Sequence, residues 1–172
     1  MNAHRSIGVV NSLPSVAFVE LLAGIYEHAR WVAEAVDGKR PFATTDMLAE
    51  AMREHVERAS DQVKLALLRA HPDLAGKAAR AGDVTASSRS EQAGAGLDRL
   101  SDEHFEKFQR LNDTYRTRFG FPFIIAVAGL TASDIIQAYH TRVNNTPDQE
   151  FRTALDQVHR IARIRLAALV IP

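Results

Sequence analysis

Phe121-Pro122-Phe123-Ile124-Ile125-Ala126-Val127-Ala128-Gly129 is apolar almost from end to end, is bounded by glycines and carries a proline. Whether it is a strand decides between an all-α protein and a mixed one. Periodicity alone cannot separate a buried strand from buried irregular chain at this length. A lone strand would have no partner for its backbone, however, and the sequence on both sides is helical. The segment reads as buried extended chain or a short helix. Before it, Ser101 caps a helix in which Phe105, Phe108, Leu111, Tyr115 and Phe119 recur every three or four residues as a wide aromatic face, ended by Gly120. After it, Thr131-Ala132-Ser133-Asp134 has the form of a capping box for a helix to about Val143. Thr146-Pro147-Asp148-Gln149 is a better box, opening a final helix that runs almost to the C-terminus.

Towards the N-terminus, residues 1–12 lack periodicity and read as a loose arm ahead of one helical domain over residues 13–172. Ser15 reads as the cap of a helix that buries Phe18, Leu21, Leu22 and Ile25, and a second short helix around Trp31 and Val36 stops at Gly38. Thr45 caps a third, with Met47, Leu48, Ala51, Met52 and Val56 on one side. Ser60 to Ala70 forms a fourth through Val63, Leu67 and Ala70. Leu74 to Gly82 suits a short helix or turn, and Thr85 to Leu97 a loop entering a helix. The pattern predicts an all-α, single-domain bundle of about seven to eight helices.

The chain has 172 residues, enough for a substantial core, and 21 basic residues balance 21 acidic ones. With the charges mixed along the chain, no basic stripe draws in nucleic acid or anionic lipid, and neither is an expected partner. Cysteine is absent, which excludes disulfides and thiolate chemistry and suits a reducing compartment. No run approaches the roughly 18 apolar residues of a membrane span, so the protein reads as cytoplasmic. The seven histidines, at 4, 28, 55, 71, 104, 140 and 159, include no pair at the spacing of a zinc helix, and no metal is expected. Gly94-Ala95-Gly96 lacks the preceding strand that a nucleotide-binding turn requires.

Three places carry candidate chemistry. In His71-Pro72-Asp73-Leu74-Ala75-Gly76-Lys77, the proline biases His71 away from the α region and places it at or just past a helix C-terminus. There the helix dipole favours the imidazolium and burial the neutral ring, a balance that lets a histidine exchange a proton near neutral pH; a capping role is the alternative. In the last helix Phe151, Val158, Ile161, Ile164 and Leu169 define an apolar arc, and Arg165 falls near its middle while Arg163 points away. A guanidinium aimed at a core needs an acidic partner or an anionic ligand. Glu91 closes a second capping-box pattern, Ser88-Arg89-Ser90-Glu91, or else accepts hydrogen bonds from urea-like N–H groups beside Gln92. Free backbone N–H groups from Ser88 to Gln92 would serve the same ligand. Asp73 and Asp98 are most simply caps or solvated charges.

Three blocks, His71-Pro72-Asp73-Leu74-Ala75-Gly76, Ser90-Glu91-Gln92-Ala93-Gly94-Ala95-Gly96-Leu97 and Phe119-Gly120-Phe121-Pro122-Phe123, resemble the signatures of the 2-oxo-4-hydroxy-4-carboxy-5-ureidoimidazoline (OHCU) decarboxylase family of urate degradation. Order and spacing agree over essentially the whole chain. The resemblance implies an all-helical, cofactor-free, homodimeric enzyme that converts OHCU to (S)-allantoin and carbon dioxide. It implies that His71 is the catalytic proton donor with Glu91 beside it. Pro72, Ser88, Arg89, Ser90, Glu91, Gln92, Phe123, Ile124, Ile125, Ala126, Val127 and Arg165 would surround the substrate. A helical binding module and a hydrolase acting on a related ureido ring are the competing readings.

Overall fold

The computed structural model describes residues 4–172. In chain order the described residues form β1 (Arg5–Ser6), α1 (Ile7–Ser12), α2 (Ser15–Leu22), α3 (Arg30–Asp37), α4 (Thr45–Arg58), α5 (Asp61–Arg69), α6 (Lys77–Ala81), α7 (Ala86–Gly94), a 3-10 turn (Leu97–Arg99), α8 (Asp102–Phe119), α9 (Ala132–Arg142), α10 (Pro147–Ala167) and β2 (Val170–Ile171). The protein is therefore all-α apart from one two-residue parallel pair. No helix among the described residues is long and apolar enough to cross a membrane. The chain divides into two compact units, one running to Leu67 and resuming over His159–Pro172, the other Leu68–Val158.

In the first unit, the arm expected over residues 1–12 begins outside the described residues. From Arg5 onwards it departs from the loose reading: β1 pairs with β2, Arg5 opposite Val170, and Val10 of α1 is fully buried. The arm is fastened by the C-terminal strand, a partner more than 160 residues away in sequence that periodicity does not reveal. Packing of α2 on α3 and α3 on α4 buries Phe18, Val32, Val36, Leu48, Met52 and Val56. Two caps shift by one residue. Thr44, not Thr45, accepts the Met47 N–H at 3.1 Å, and Ser15 is the first helical residue behind Pro14. Met47 and Val63 are exposed, so the true apolar stripes are narrower than the sequence expects.

In the second unit, α8 ends at Gly120, whose φ of 77° is the left-handed cap that glycine adopts freely. Both capping boxes form: Thr131 and Asp134 bond reciprocally, and so do Thr146 and Gln149. Between α8 and α9 residues 121–127 run as mostly buried irregular chain, neither strand nor the short helix that the sequence left open. They are held by aromatic packing, Phe123 stacking on Tyr139 at 3.7 Å and meeting Tyr115 edge-on at 5.2 Å. The buried stripe of α10 is Ala154, Leu155, Val158, Ala162 and Leu166, not the arc drawn through Ile161 and Ile164; Ile164 is 40% exposed.

Candidate functional site

His71 follows α5 after one residue, where Pro72 prevents the helix from continuing. Its backbone N–H reaches back to Leu68 O at 3.2 Å, and the residue is only 7% exposed. The loop behind it cannot hold its own shape, because its backbone groups have no regular partners. Side chains from α7 and α8 supply them. Gln92 Oε1 accepts the Ala75 N–H at 2.9 Å, Gln109 donates to Ala75 O at 2.8 Å, and Asn112 donates to Leu74 O at 3.0 Å. Arg116 closes the set through Asp73 at 3.0 Å. Asn112 is itself held by the Tyr139 hydroxyl. Ala75 has φ of 48°, a conformation that an alanine adopts only when its surroundings impose it. Gly76 is required by closeness: a Cβ there would lie 2.9 Å from Asp73 Cβ.

Helix α7 starts earlier than the Ser88 box suggests. Thr85 is the cap, accepting the Ser88 N–H at 3.2 Å on its hydroxyl and the Arg89 N–H at 2.9 Å on its carbonyl. Ser88 thus lies inside the helix, Glu91 is not a capping-box residue, and the backbone from Ser88 to Gln92 does not offer free N–H groups. What the helix does offer is a face. Ser88 and Gln92, one turn apart, are buried with Glu91 half-buried beside them. Arg89 and Ser90 are on the exposed side, and Arg89 donates to Gly82 O at 2.5 Å.

The segment carrying Phe123, Ile124, Ile125, Ala126 and Val127 is fastened through its backbone. Arg142 donates to Ile124 O at 2.7 Å, and Gln157 accepts the Ala126 N–H at 3.0 Å. Arg142 is neutralised by Glu150, at 2.5 Å, whose carboxylate also receives the Tyr115 hydroxyl and Asn145 at 2.7 Å. Burial pushes the Tyr139 hydroxyl up in pKa, with Asp73 adding to the effect; burial does the same for Tyr115, with Glu150 adding. Both phenols are hydrogen-bond donors here, not acids.

Arg165 belongs to the first unit. Its side chain is 8% exposed, and its Nη1 donates to Glu27 Oε2 at 2.7 Å and to Gly24 O at 3.2 Å. Of the acidic partner or anionic ligand that the sequence left open, the structure supplies an acidic partner, Glu27, a residue singled out by nothing in the local pattern. Arg163 points outwards to Asp46, as expected.

A family model described as OHCU decarboxylase matches residues 11–167. The chain belongs to the OHCU decarboxylase family. It is 49% identical over 158 residues to a 2-oxo-4-hydroxy-4-carboxy-5-ureidoimidazoline decarboxylase of Haloferax volcanii, covering 92% of each chain. A mouse protein of the same name is 35% identical, over 94% of this chain and 90% of the other. A crystal structure of (S)-allantoin synthase superposes with a TM-score of 0.76 at 38% identity, over 95% of this chain and 53% of that one.

Within this OHCU decarboxylase fold, the second unit holds His71, Pro72, the α7 residues and the 123–127 segment, while Arg165 is in the first. Sequence reasoning missed the supports: Gln109, Asn112, Arg142, Glu150 and Gln157. One signal was available. Asn112 lies between Phe108 and Tyr115 on the aromatic face of α8, and a buried amide there must be satisfied by something specific.

Proposed function

We propose that this chain decarboxylates OHCU to (S)-allantoin and carbon dioxide in urate breakdown, without a cofactor. The observation that carries the reading is near-full-length similarity, at 49% identity, to a protein named for that decarboxylation. The chemistry fits a protein that supplies only position and protons. In OHCU one ring carbon bears a carboxylate and a hydroxyl, and its neighbour is part of a carbon–nitrogen double bond. When the bond to the carboxylate breaks, carbon dioxide leaves, the electron pair forms a double bond between the two ring carbons, and the carbon–nitrogen π pair moves onto the ring nitrogen, which takes up a proton from solvent. The resulting enol loses its hydroxyl proton to become the carbonyl, and a second proton is added to one face of the ureido-bearing carbon. The substrate is its own electron sink, so no borrowed one is needed.

In this reading His71 delivers the proton and its fixed approach sets the S configuration. Pro72 and the clamped loop hold the imidazole in place. Glu91 accepts hydrogen bonds from the ureido N–H groups and, with Ser88 and Gln92, lines that end of the site. Residues 123–127 form an apolar wall that excludes water. Arg89 and Ser90, from the exposed side of α7, shape the rim. The family resemblance further supports a cytoplasmic homodimer.

The test adds pure protein to OHCU freshly generated from urate and follows circular dichroism and carbon dioxide release against a control without protein. Rapid formation of optically active (S)-allantoin, lost in His71→Asn, is expected. Decay to racemic product at the uncatalysed rate, with folded protein, would overturn the reading in favour of a binding module, and ammonia or a ring-opened acid would point to a hydrolase.

A further inference from the structure

In the second unit, two stretches that carry proposed site residues are joined by a buried polar link between α8 and α9. Asn112 of α8 is 3% exposed and Tyr139 of α9 is 1% exposed. The Asn112 amide donates to Leu74 O at 3.0 Å, three residues after His71, and its oxygen accepts the Tyr139 hydroxyl. Tyr139 is in turn fixed by rings. It stacks on Phe123 at 3.7 Å between centroids, with the planes 19° apart, and meets Phe108 edge-on at 6.3 Å and Tyr115 at 6.0 Å. The carbonyl that follows Phe123, Ile124 O, is held by Arg142 at 2.7 Å. A continuous set of buried contacts thus runs from the 123–127 segment to the loop that carries His71.

We propose that Tyr139 is a positioning residue for the decarboxylation, holding the His71 loop through Asn112 while its ring rests on Phe123, an inference that rests on His71 delivering the proton. An asparagine amide has a donor end and an acceptor end of nearly equal shape, so packing alone does not choose between its two orientations. Here the hydroxyl donates to the oxygen end, which leaves the NH2 end for Leu74 O. A half-turn of the amide would set two acceptors, its own oxygen and Leu74 O, against each other. Burial, with Asp73 adding to it, keeps the phenol protonated and therefore a donor. The loop is stiffened by Pro72, so holding Leu74 O constrains the backbone at His71. Such constraint matters to a proton donor, because a misplacement of about 1 Å can cost roughly a hundred-fold in rate.

The test measures kcat and KM on OHCU freshly generated from urate for the full-length wild type, Tyr139→Phe, Asn112→Ala and the double variant, with the uncatalysed rate subtracted and folding followed by circular dichroism. Tyr139→Phe keeps the stacked ring and removes only the hydroxyl. It is expected to lower kcat roughly ten-fold with KM nearly unchanged, as for a displaced proton donor. Asn112→Ala is expected to lower kcat at least as much, and Tyr139→Phe to add little in that background. Folded Tyr139→Phe with wild-type kcat, even if it melts earlier, would leave the hydroxyl a structural role alone and overturn the proposal. So would a rise in KM alone, or the same loss of kcat in both backgrounds. Should Tyr139→Phe fail to fold, Asn112→Ala, which leaves the tyrosine in place, decides by the same split between kcat and KM. Failure of the underlying reading has a different signature: His71→Asn would keep the wild-type kcat, and the proposal would fall with it.

Discussion

Gln92 and Ala75 meet through one buried hydrogen bond, the Gln92 side-chain oxygen accepting the Ala75 backbone N–H at 2.9 Å. It joins α7 to the loop that carries His71, and it explains why an amide stands at a helical position that apolar packing alone would fill with leucine.

Gln92→Leu removes that acceptor and strands a buried N–H, which costs about 1–3 kcal/mol. Urea unfolding should show this loss, and decarboxylation should fall further than stability predicts because the His71 loop is released. Wild-type stability in Gln92→Leu would show that the clamp is unimportant.

The backbone of the same loop makes two opposite predictions. Ala75→Gly relieves a left-handed alanine and should raise stability by up to about 1 kcal/mol. Gly76→Ala must push against Asp73, whose Cβ would lie 2.9 Å away and whose carbonyl oxygen 3.2 Å away. A loss of about 1–3 kcal/mol is expected, read by thermal unfolding.

Glu150→Ala leaves the Arg142 guanidinium buried without its carboxylate, at a cost of about 3–5 kcal/mol. Replacing both, as Arg142→Met with Glu150→Leu, should cost less than the single change. Denaturant unfolding of the three variants checks the order, and a double variant less stable than Glu150→Ala contradicts it.

The Asp134 carboxyl is held below its usual pKa by the Thr131 hydroxyl and then by the Thr131 N–H, both of which bond the ionised form. The unfolded chain therefore binds this proton more readily than the folded one. Stability from the cap is present above the unfolded value of 3.8 and is lost as pH falls through the folded value. Asp134→Asn should flatten the acid slope below about pH 4 while leaving neutral behaviour parallel to wild type. Unfolding curves taken from about pH 2 to 6 test it; identical slopes would exclude the cap as a source of acid lability.

Most helices and the apolar character of residues 121–127 were legible in the sequence, as were His71 at its helix end and the need of Arg165 for a partner. Misreadings fell where two local solutions compete over one or two residues. Thr44 and Thr45 both suit a cap, and Ser88 offers a second box inside a helix that Thr85 had already begun. The N-terminal arm was misread for a different reason: its partner is the other end of the chain.

What the sequence determined by itself was local. The Thr131 and Thr146 boxes, the Gly120 stop and the break at Pro72 all depend on backbone and side-chain groups within four residues, and such interactions are fully specified by spacing. Tertiary structure decided which polar groups satisfy which. The partners of Ala75, Leu74 and Arg165 lie 17, 38 and 138 residues away. A buried polar group must find a partner somewhere, but only the packing of distant helices decides where.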